Sequence, residues 1–309
     1  VTASPLGRVV EIAEDGRHLS KTRGFLTVSA AGAEIGRVPL DDITAVVATS
    51  PATTTSCVLL AELAERGIPF VLSGRNFEPA AILWPVSGHH AQQRRMEAQL
   101  GKSGALAGRL WAQLIAAKVR QQGAALAACG KPSGAFSRLA GLVRAGDPEN
   151  IEAQAARRYW PLLMGDDFRR DSDAAGANAM LNYGYAVLRA ATARAIVAAG
   201  LHPGLGIFHR HPHNAMPLSD DLMEPFRPLF DVAVVRLLAA GETAVTTDVK
   251  RALAALLLEG QPTAAGTTPL STCLVRLAAS VADSFVSGKP LLDLPVHTGG
   301  DGTYIAGGT

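Results

Sequence analysis

The feature that most restricts this chain is a change of hydrophobic period near residue 86. Before it, short apolar runs alternate with polar or Gly-containing turns; after it, apolar residues recur three and four positions apart. A period of two buries one face of a pleated strand, and a period of 3.6 buries one stripe of a helix, so neither pattern serves the other structure. The pattern therefore predicts an α+β fold: a small N-terminal β-rich domain over residues 1–86 and a larger all-α domain over 87–298. The remaining segment, 299–309, is rich in Gly and Thr and is predicted to be a disordered tail.

In the first part the strand pattern covers residues 8–12, 24–28, 35–40, 43–47, 68–72 and 80–84. One helix interrupts them. It opens at Thr55 or Ser56, carries Leu59, Leu60 and Leu63 on one face, and stops at Gly67. In the second part Leu106, Leu110, Leu114 and Ile115 mark one helix and Met180, Tyr183, Val187 and Leu188 another. Further helices are predicted over 230–240, 247–258 and 270–286.

Of the 309 residues 48% are hydrophobic, enough for a sizeable core in each part. Three cysteines, Cys57, Cys129 and Cys273, are too widely spaced for a metal knuckle or a redox pair. With no basic-then-apolar leader and no apolar run near the ~20 residues that cross a bilayer, the expectation is a cytoplasmic protein with no membrane segment.

The formal charge of +2 conceals an asymmetry. Lys plus Arg against Asp plus Glu is 7 against 9 in residues 1–85, 13 against 6 in 86–170 and 9 against 12 in 171–309, so the middle segment is net +7. Such a segment is either a polyanion-binding surface or a solvated helical one.

Three segments carry residues suited to chemistry. Asp147-Pro148-Glu149-Asn150-Ile151-Glu152 opens a helix, with Asp147 as its cap and Pro148 at the first helical position. Glu152 shares its face with Ala155, Ala156, Tyr159 and Leu163, so its carboxylate must meet a cation: a metal or an internal ion-pair partner. Gly204-Leu205-Gly206-Ile207-Phe208-His209 delivers a histidine after two large apolar residues, which makes His209 a core histidine or a ligand. His211 and His213 stand in a polar loop with no cysteine near, which weakens a zinc reading. In Leu218-Ser219-Asp220-Asp221-Leu222-Met223-Glu224-Pro225-Phe226-Arg227-Pro228, Ser219 can cap a helix and Asp221 and Glu224 project from one face, with Asp220 solvated and Pro225 bending the helix. Carboxylates with one imidazole favour Mg2+ or Mn2+ over zinc, and such a site suits phosphodiester chemistry. Arg94, Arg95, Arg157, Arg158, Arg169 and Arg170 are the candidate phosphate contacts, with Arg227 beside the acids.

At these motifs the chain resembles the CRISPR-associated adaptation integrases, the first of the core Cas proteins, in their compact type II form. The resemblance runs through Val38-Pro39-Leu40-Asp41-Asp42-Ile43, the segment from Leu59 to Ile68, Leu110 to Lys118, Glu152 to Trp160, Leu181 to Tyr185, Gly200 to His209 and Asp221 to Pro228. Val119-Arg120-Gln121-Gln122 departs from the family's usual Ile-x-Asn-Gln. The resemblance implies Glu152, His209 and Glu224 as catalytic metal ligands, with Asp221 as an accessory ligand. It also implies a homodimer through the β-rich domain, a small second Cas protein bridging two dimers, double-stranded DNA as fragment and as CRISPR repeat, and the type II effector nuclease as a further partner. The reaction implied is attack of a fragment's 3′ hydroxyl on a phosphodiester of the repeat. Two other readings use the same residues: a structure-specific endonuclease acting on branched DNA, and a DNA-binding scaffold whose acids are structural.

Overall fold

The computed structural model describes residues 8–73, 79–83, 91–171, 173–211, 213–263, 266–295, 297–298 and 304–305. They form two compact units divided between His90 and Ala91. The boundary expected at 86–87 lies outside the described residues.

The first unit holds β1 (Arg8–Ile12), β2 (Arg17–Thr22), β3 (Phe25–Ala30), β4 (Ala33–Pro39), β5 (Ile43–Ala48), β6 (Thr54–Thr55), α1 (Cys57–Glu65), β7 (Phe70–Ser73) and β8 (Pro79–Ile82). One sheet has the order β1-β5-β7-β8, with β8 alone antiparallel to its neighbour. The other has the order β4-β3-β2-β6, antiparallel except for the short β2–β6 pair. Helix α1 is the crossover between β5 and β7, which parallel pairing requires. Leu59 and Leu63 of α1 join Leu19, Leu26, Val46 and Phe70 from the two sheets in one core. Ser56 caps the helix by accepting from the Leu59 N–H at 3.3 Å, and Gly67, at φ +65°, turns the chain out of it. Strand β2 has no counterpart among the predicted strands. Leu19 is the single apolar residue in Arg17–Thr22, so no alternation marks it; six paired residues on β3 make it a strand.

The second unit holds α2 (Gln92–Leu100), α3 (Gly104–Ala128), α4 (Gly134–Gly141), α5 (Ile151–Met164), α6 (Ala177–Ala198), α7 (Pro217–Met223), α8 (Arg227–Ala239), α9 (Thr247–Ala255), β9 (Gly260–Thr263), β10 (Gly266–Pro269), α10 (Leu270–Ser287), β11 (His297–Thr298) and β12 (Tyr304–Ile305). The 25-residue α3 is its axis: α4, α5 and α8 pack on it around buried Leu106, Leu110, Trp111, Leu114 and Ile115. The all-α expectation needs correcting at the β9–β10 hairpin, where Gly and Pro disfavour helix and Thr favours strand. Helix α4 spans eight residues, too few for a hydrophobic period to show. Helix α10 is long and apolar enough by composition to cross a membrane, yet it packs on α6 and α2 and buries half of its length. Of the predicted tail, Tyr304 and Ile305 alone are described, and they pair with His297–Thr298.

Close packing of α6 on α8 depends on Gly184, where a Cβ would stand 2.9 Å from Phe230 Cδ1, itself fully buried. Gly184→Ala should therefore destabilise the protein by ~1–3 kcal/mol through overpacking, despite the gain in helix propensity. The urea midpoint of the full chain measures it; an unchanged or raised midpoint would show that Phe230 yields freely.

Candidate active site

Lys118 lies midway along α3 with its side chain 12% exposed, and two carboxylates close on it. Its ammonium is 2.6 Å from Glu152 Oε1 and 2.6 Å from Glu224 Oε2. Arg227 Nη2 stands 3.2 Å from the other Glu224 oxygen. Two anions and two cations thus balance in one buried cluster. Burial alone would lower the Lys118 pKa, but Glu224 and Glu152 outweigh it and raise it. Burial likewise pushes Glu224 up, and Arg227 with Lys118 pulls it below the usual carboxylate value. Glu224 Oε2 has the Lys118 ammonium as its charge partner at 2.6 Å, one of the contacts that holds its pKa down.

Local backbone chemistry sets each acid in place. Helix α5 begins at Ile151, three residues beyond the predicted start, because Asp147 and Asn150 both adopt left-handed backbone, at φ +48° and +52°. Asn150 is the cap, and Pro148 sits in the preceding turn. Asp147 reaches forward instead: its Oδ1 accepts from Ile151 N at 2.9 Å and its Oδ2 from Glu152 N at 3.0 Å. The helical face is as predicted, with Ala155, Tyr159 and Leu163 buried below Glu152. Glu224 stands where α7 gives way to a single 3-10 turn, Glu224–Phe226, before α8. Pro225, with no N–H, belongs at that break. Ser219 does not cap α7; it lies inside the helix, fully buried with its hydroxyl unpartnered.

The histidine stands on a loop that Asp221 holds. Asp221 is 0% exposed, and its Oδ2 accepts from the Ile207 and Phe208 N–H groups at 2.6 and 3.0 Å. Its Oδ1 accepts from His209 N at 3.2 Å and lies 2.6 Å from His209 Nδ1. With both oxygens committed and no exposure, Asp221 orients the histidine. The hydrogen bond to Asp221 raises the His209 pKa against the opposing effect of burial, and it leaves Nε2 as the free ring nitrogen. Gly206 is needed for this approach, since a Cβ there would come 2.5 Å from His209 O and 3.1 Å from Asp221 Oδ2. Further back, buried Gln99 donates to His202 O and Leu205 O and accepts from His202 N. On the far side, Asp220 is not solvated as predicted: Arg189 Nε reaches it at 2.8 Å and Asn214 donates to it at 2.7 Å.

A second buried anion borders the cluster and has no counterpart in the sequence reading. Asp231 on α8 accepts from Tyr159 Oη at 2.9 Å and Tyr185 Oη at 2.5 Å. Burial raises its pKa to about 6 in spite of both donors. Arg170 and Arg227 lie over the Tyr185 ring at 5.4 and 4.9 Å.

The seven arginines named from sequence therefore separate. Arg95 is tied to Ala199 O and Asp283, Arg170 to Asn178 and Asn182, and Arg227 to Glu224, so these three are partly buried and already have protein partners. Arg94, Arg157, Arg158 and Arg169 are exposed.

Among the described residues, no three His, Cys, Asp or Glu side chains stand close enough to hold a metal ion as arranged. The donor chemistry nevertheless fits a hard divalent cation. Glu152 and Glu224 already share one positive charge through one oxygen each, the hard-oxygen donor set such an ion takes. An ion between those two carboxylates has to displace the Lys118 ammonium. The same geometry implies that Lys118→Met, which leaves two acids facing each other with Arg227 as the remaining cation, destabilises the metal-free protein by ~3 kcal/mol. Denaturant unfolding at pH 7 reads this, and Glu152→Gln added to that variant should recover part of the loss; equal stability of parent and Lys118→Met would mean the pair is solvated.

Comparison with known proteins gives these features relatives. The family model "CRISPR associated protein Cas1" matches residues 10–262. A CRISPR-associated endonuclease Cas1 from Neisseria meningitidis serogroup C (strain 8013) is 37% identical over 230 residues, 74% of this chain and 75% of the relative. Among solved structures, a casposase bound to integration product superposes with a TM-score of 0.75 at 19% identity, covering 93% of this chain and 92% of the other. A Cas6-RT-Cas1–Cas2 complex contains a chain that superposes with a TM-score of 0.73 at 16% identity, covering 96% of this chain and 37% of the other. At such identities the superpositions show the shared fold.

Proposed function

The chain belongs to the CRISPR-associated Cas1 family, and from that premise we propose that it is a metal-dependent DNA integrase of CRISPR adaptation. It joins the 3′ hydroxyl of a short DNA fragment to the repeat of a CRISPR array by transesterification. The observation that carries this reading is the convergence of Glu152 and Glu224 on one buried positive charge, within the electrostatic reach of His209. The attacking 3′ oxygen forms a new bond to phosphorus, the bond to the departing 3′ oxygen breaks, and the attacking hydroxyl's proton ends on that leaving oxygen or in solvent. One phosphodiester is exchanged for another.

Glu152, His209 and Glu224 would hold Mg2+ or Mn2+, which supplies a Lewis acid for the phosphoryl oxygen and lowers the pKa of the attacking hydroxyl. This chain's own residues do the rest. Asp221 fixes the His209 ring, while Lys118 and Arg227 keep positive charge where a phosphate arrives. Exposed Arg94, Arg157, Arg158 and Arg169 are the phosphate contacts. Homodimerisation through the first unit is supported by the edge strand β4, where Ile35 is 55% exposed. The second Cas protein is supported as a partner by the complex whose Cas1 chain shares this fold. The endonuclease reading, with water in place of the 3′ hydroxyl, is favoured by the name of the Neisseria relative. Products separate the two: a covalent joint or free ends.

Replacement of Glu152, His209 or Glu224 by Ala should abolish joining of a labelled fragment to a repeat-bearing plasmid while DNA binding is kept, and double replacements should lose little more. Parental joining by His209→Ala would return that histidine to a structural role. Removing Arg157, Arg158 and Arg169 together should flatten the dependence of log K on log salt by ~0.9 for each phosphate that is no longer neutralised. A filter-binding titration across salt concentrations reads the slope, and an unaltered one would mean that the phosphates bind elsewhere.

A further inference from the structure

Phe208 is the only aromatic side chain among the exposed large hydrophobics of the described residues, at 47% exposure, and it directly precedes His209. One face of its ring lies flat on Trp111, with centroids 4.2 Å apart and planes 2° from parallel. Trp111 is 1% exposed in the body of α3, so the platform beneath Phe208 cannot shift. The Phe208 backbone is held as firmly, by the bond from its N–H to Asp221. Away from Trp111 the residue keeps 47% of its surface open to solvent. An apolar ring that only completed a core would turn that surface inward; here backbone and stacking partner together present it beside His209, whose ring stands edge-on at 5.8 Å. Exposed Arg210 lies two residues on in the chain, and Lys102 is close enough to feel the Arg210 charge.

A flat, rigid, partly exposed aromatic ring beside the proposed phosphoryl-transfer site, with Arg210 two residues on, matches one ligand chemistry, a nucleobase whose own face is uncovered and whose phosphates lie alongside. Bases inside a duplex are covered on both faces, so the base that fits is one at a strand end or one splayed out of the stack. We infer that Phe208 is the stacking platform for the terminal nucleobase of the DNA strand whose 3′ hydroxyl reacts at His209, positioning that hydroxyl without touching it. Trp111 acts through Phe208 by fixing the plane of its ring. The inference rests on the DNA-joining function proposed above and adds the group that registers the strand end.

The test uses the full chain with its second Cas protein, a repeat-bearing plasmid as target, and a duplex fragment with single-stranded 3′ ends carrying 2-aminopurine as the last nucleotide, whose fluorescence falls on stacking. The parent should quench it on binding. Phe208→Leu should abolish the quench and slow joining about 10- to 100-fold, with overall DNA affinity changed less than about threefold because phosphates dominate it. Phe208→Trp should restore both. With an abasic terminal nucleotide the parent should slow by the same factor and Phe208→Leu should slow no further, since both changes remove the same stacking interaction. Quenching that persists in Phe208→Leu, or additive losses with the abasic end, would overturn the platform while leaving the integrase reading intact. A parent that binds DNA and quenches through Phe208 but never joins would overturn the integrase reading instead, and a parent that binds no DNA would overturn both.

Discussion

Two carboxylates directed at one buried point cannot both remain charged without a cation between them. Glu152 and Glu224 come from helix α5 and the turn after α7, far apart in sequence, and the Lys118 ammonium is what lets them meet. Isolated charges in such a position would each lose several kcal/mol of hydration. The cluster stands because Lys118 and Arg227 match the two negative charges, and because α3 is long enough to carry its lysine to the middle of the unit. Packing of α5, α8 and the Glu224 turn on α3 therefore serves the core and the site together. A chain shaped only for core stability would do as well with apolar residues here. Retaining four ionic groups in a largely buried cluster is understandable under the proposed function, in which the cluster exchanges positive charge.

The histidine is positioned by a different device. Its loop carries no regular secondary structure, and rigidity comes from one saturated carboxylate: Asp221 takes three backbone N–H groups and the imidazole. Gln99 from α2 and Arg189 from α6 brace the loop on either side. A loop held by buried polar bonds keeps its geometry through charge changes nearby, which a loop held by contact with solvent would not. Trp111 completes the arrangement from below, stacked on Phe208 and edge-on to His209 at 5.4 Å.

Much of the fold is legible in the chain itself. The change of period near residue 86 separates strands from helices, Ser56 and Gly67 bound α1, and the stripe of Ala155, Tyr159 and Leu163 puts Glu152 on a buried face. These are local properties, fixed by steric limits and by hydrogen bonds within a few residues. The elements that escape are those whose reason is not local. β2 is a strand because β3 pairs along its whole length, and the β9–β10 hairpin sits in a segment too short to show a pattern.

The same division governs the site. Residue type and neighbours single out Glu152, His209 and Glu224, because a carboxylate on an apolar face and a histidine after two large apolar residues are conspicuous at short range. Lys118 is visible in the sequence only as the end of a motif, since a lysine within a mostly apolar helix reads as a solvated one until two distant acids are folded onto it. Asp221 looks like a ligand because i and i+3 acids project together, and only the folded loop shows its oxygens already committed. Arg95 and Arg170 belong to the basic segment by count and Arg227 lies beyond it, and tertiary packing pairs them with Asp283, with Asn178 and Asn182, and with Glu224. Sequence thus determined which groups are unusual for their immediate surroundings; the tertiary structure decided which charges face one another, because Coulomb interaction and desolvation depend on separation in space and carry no signature along the chain.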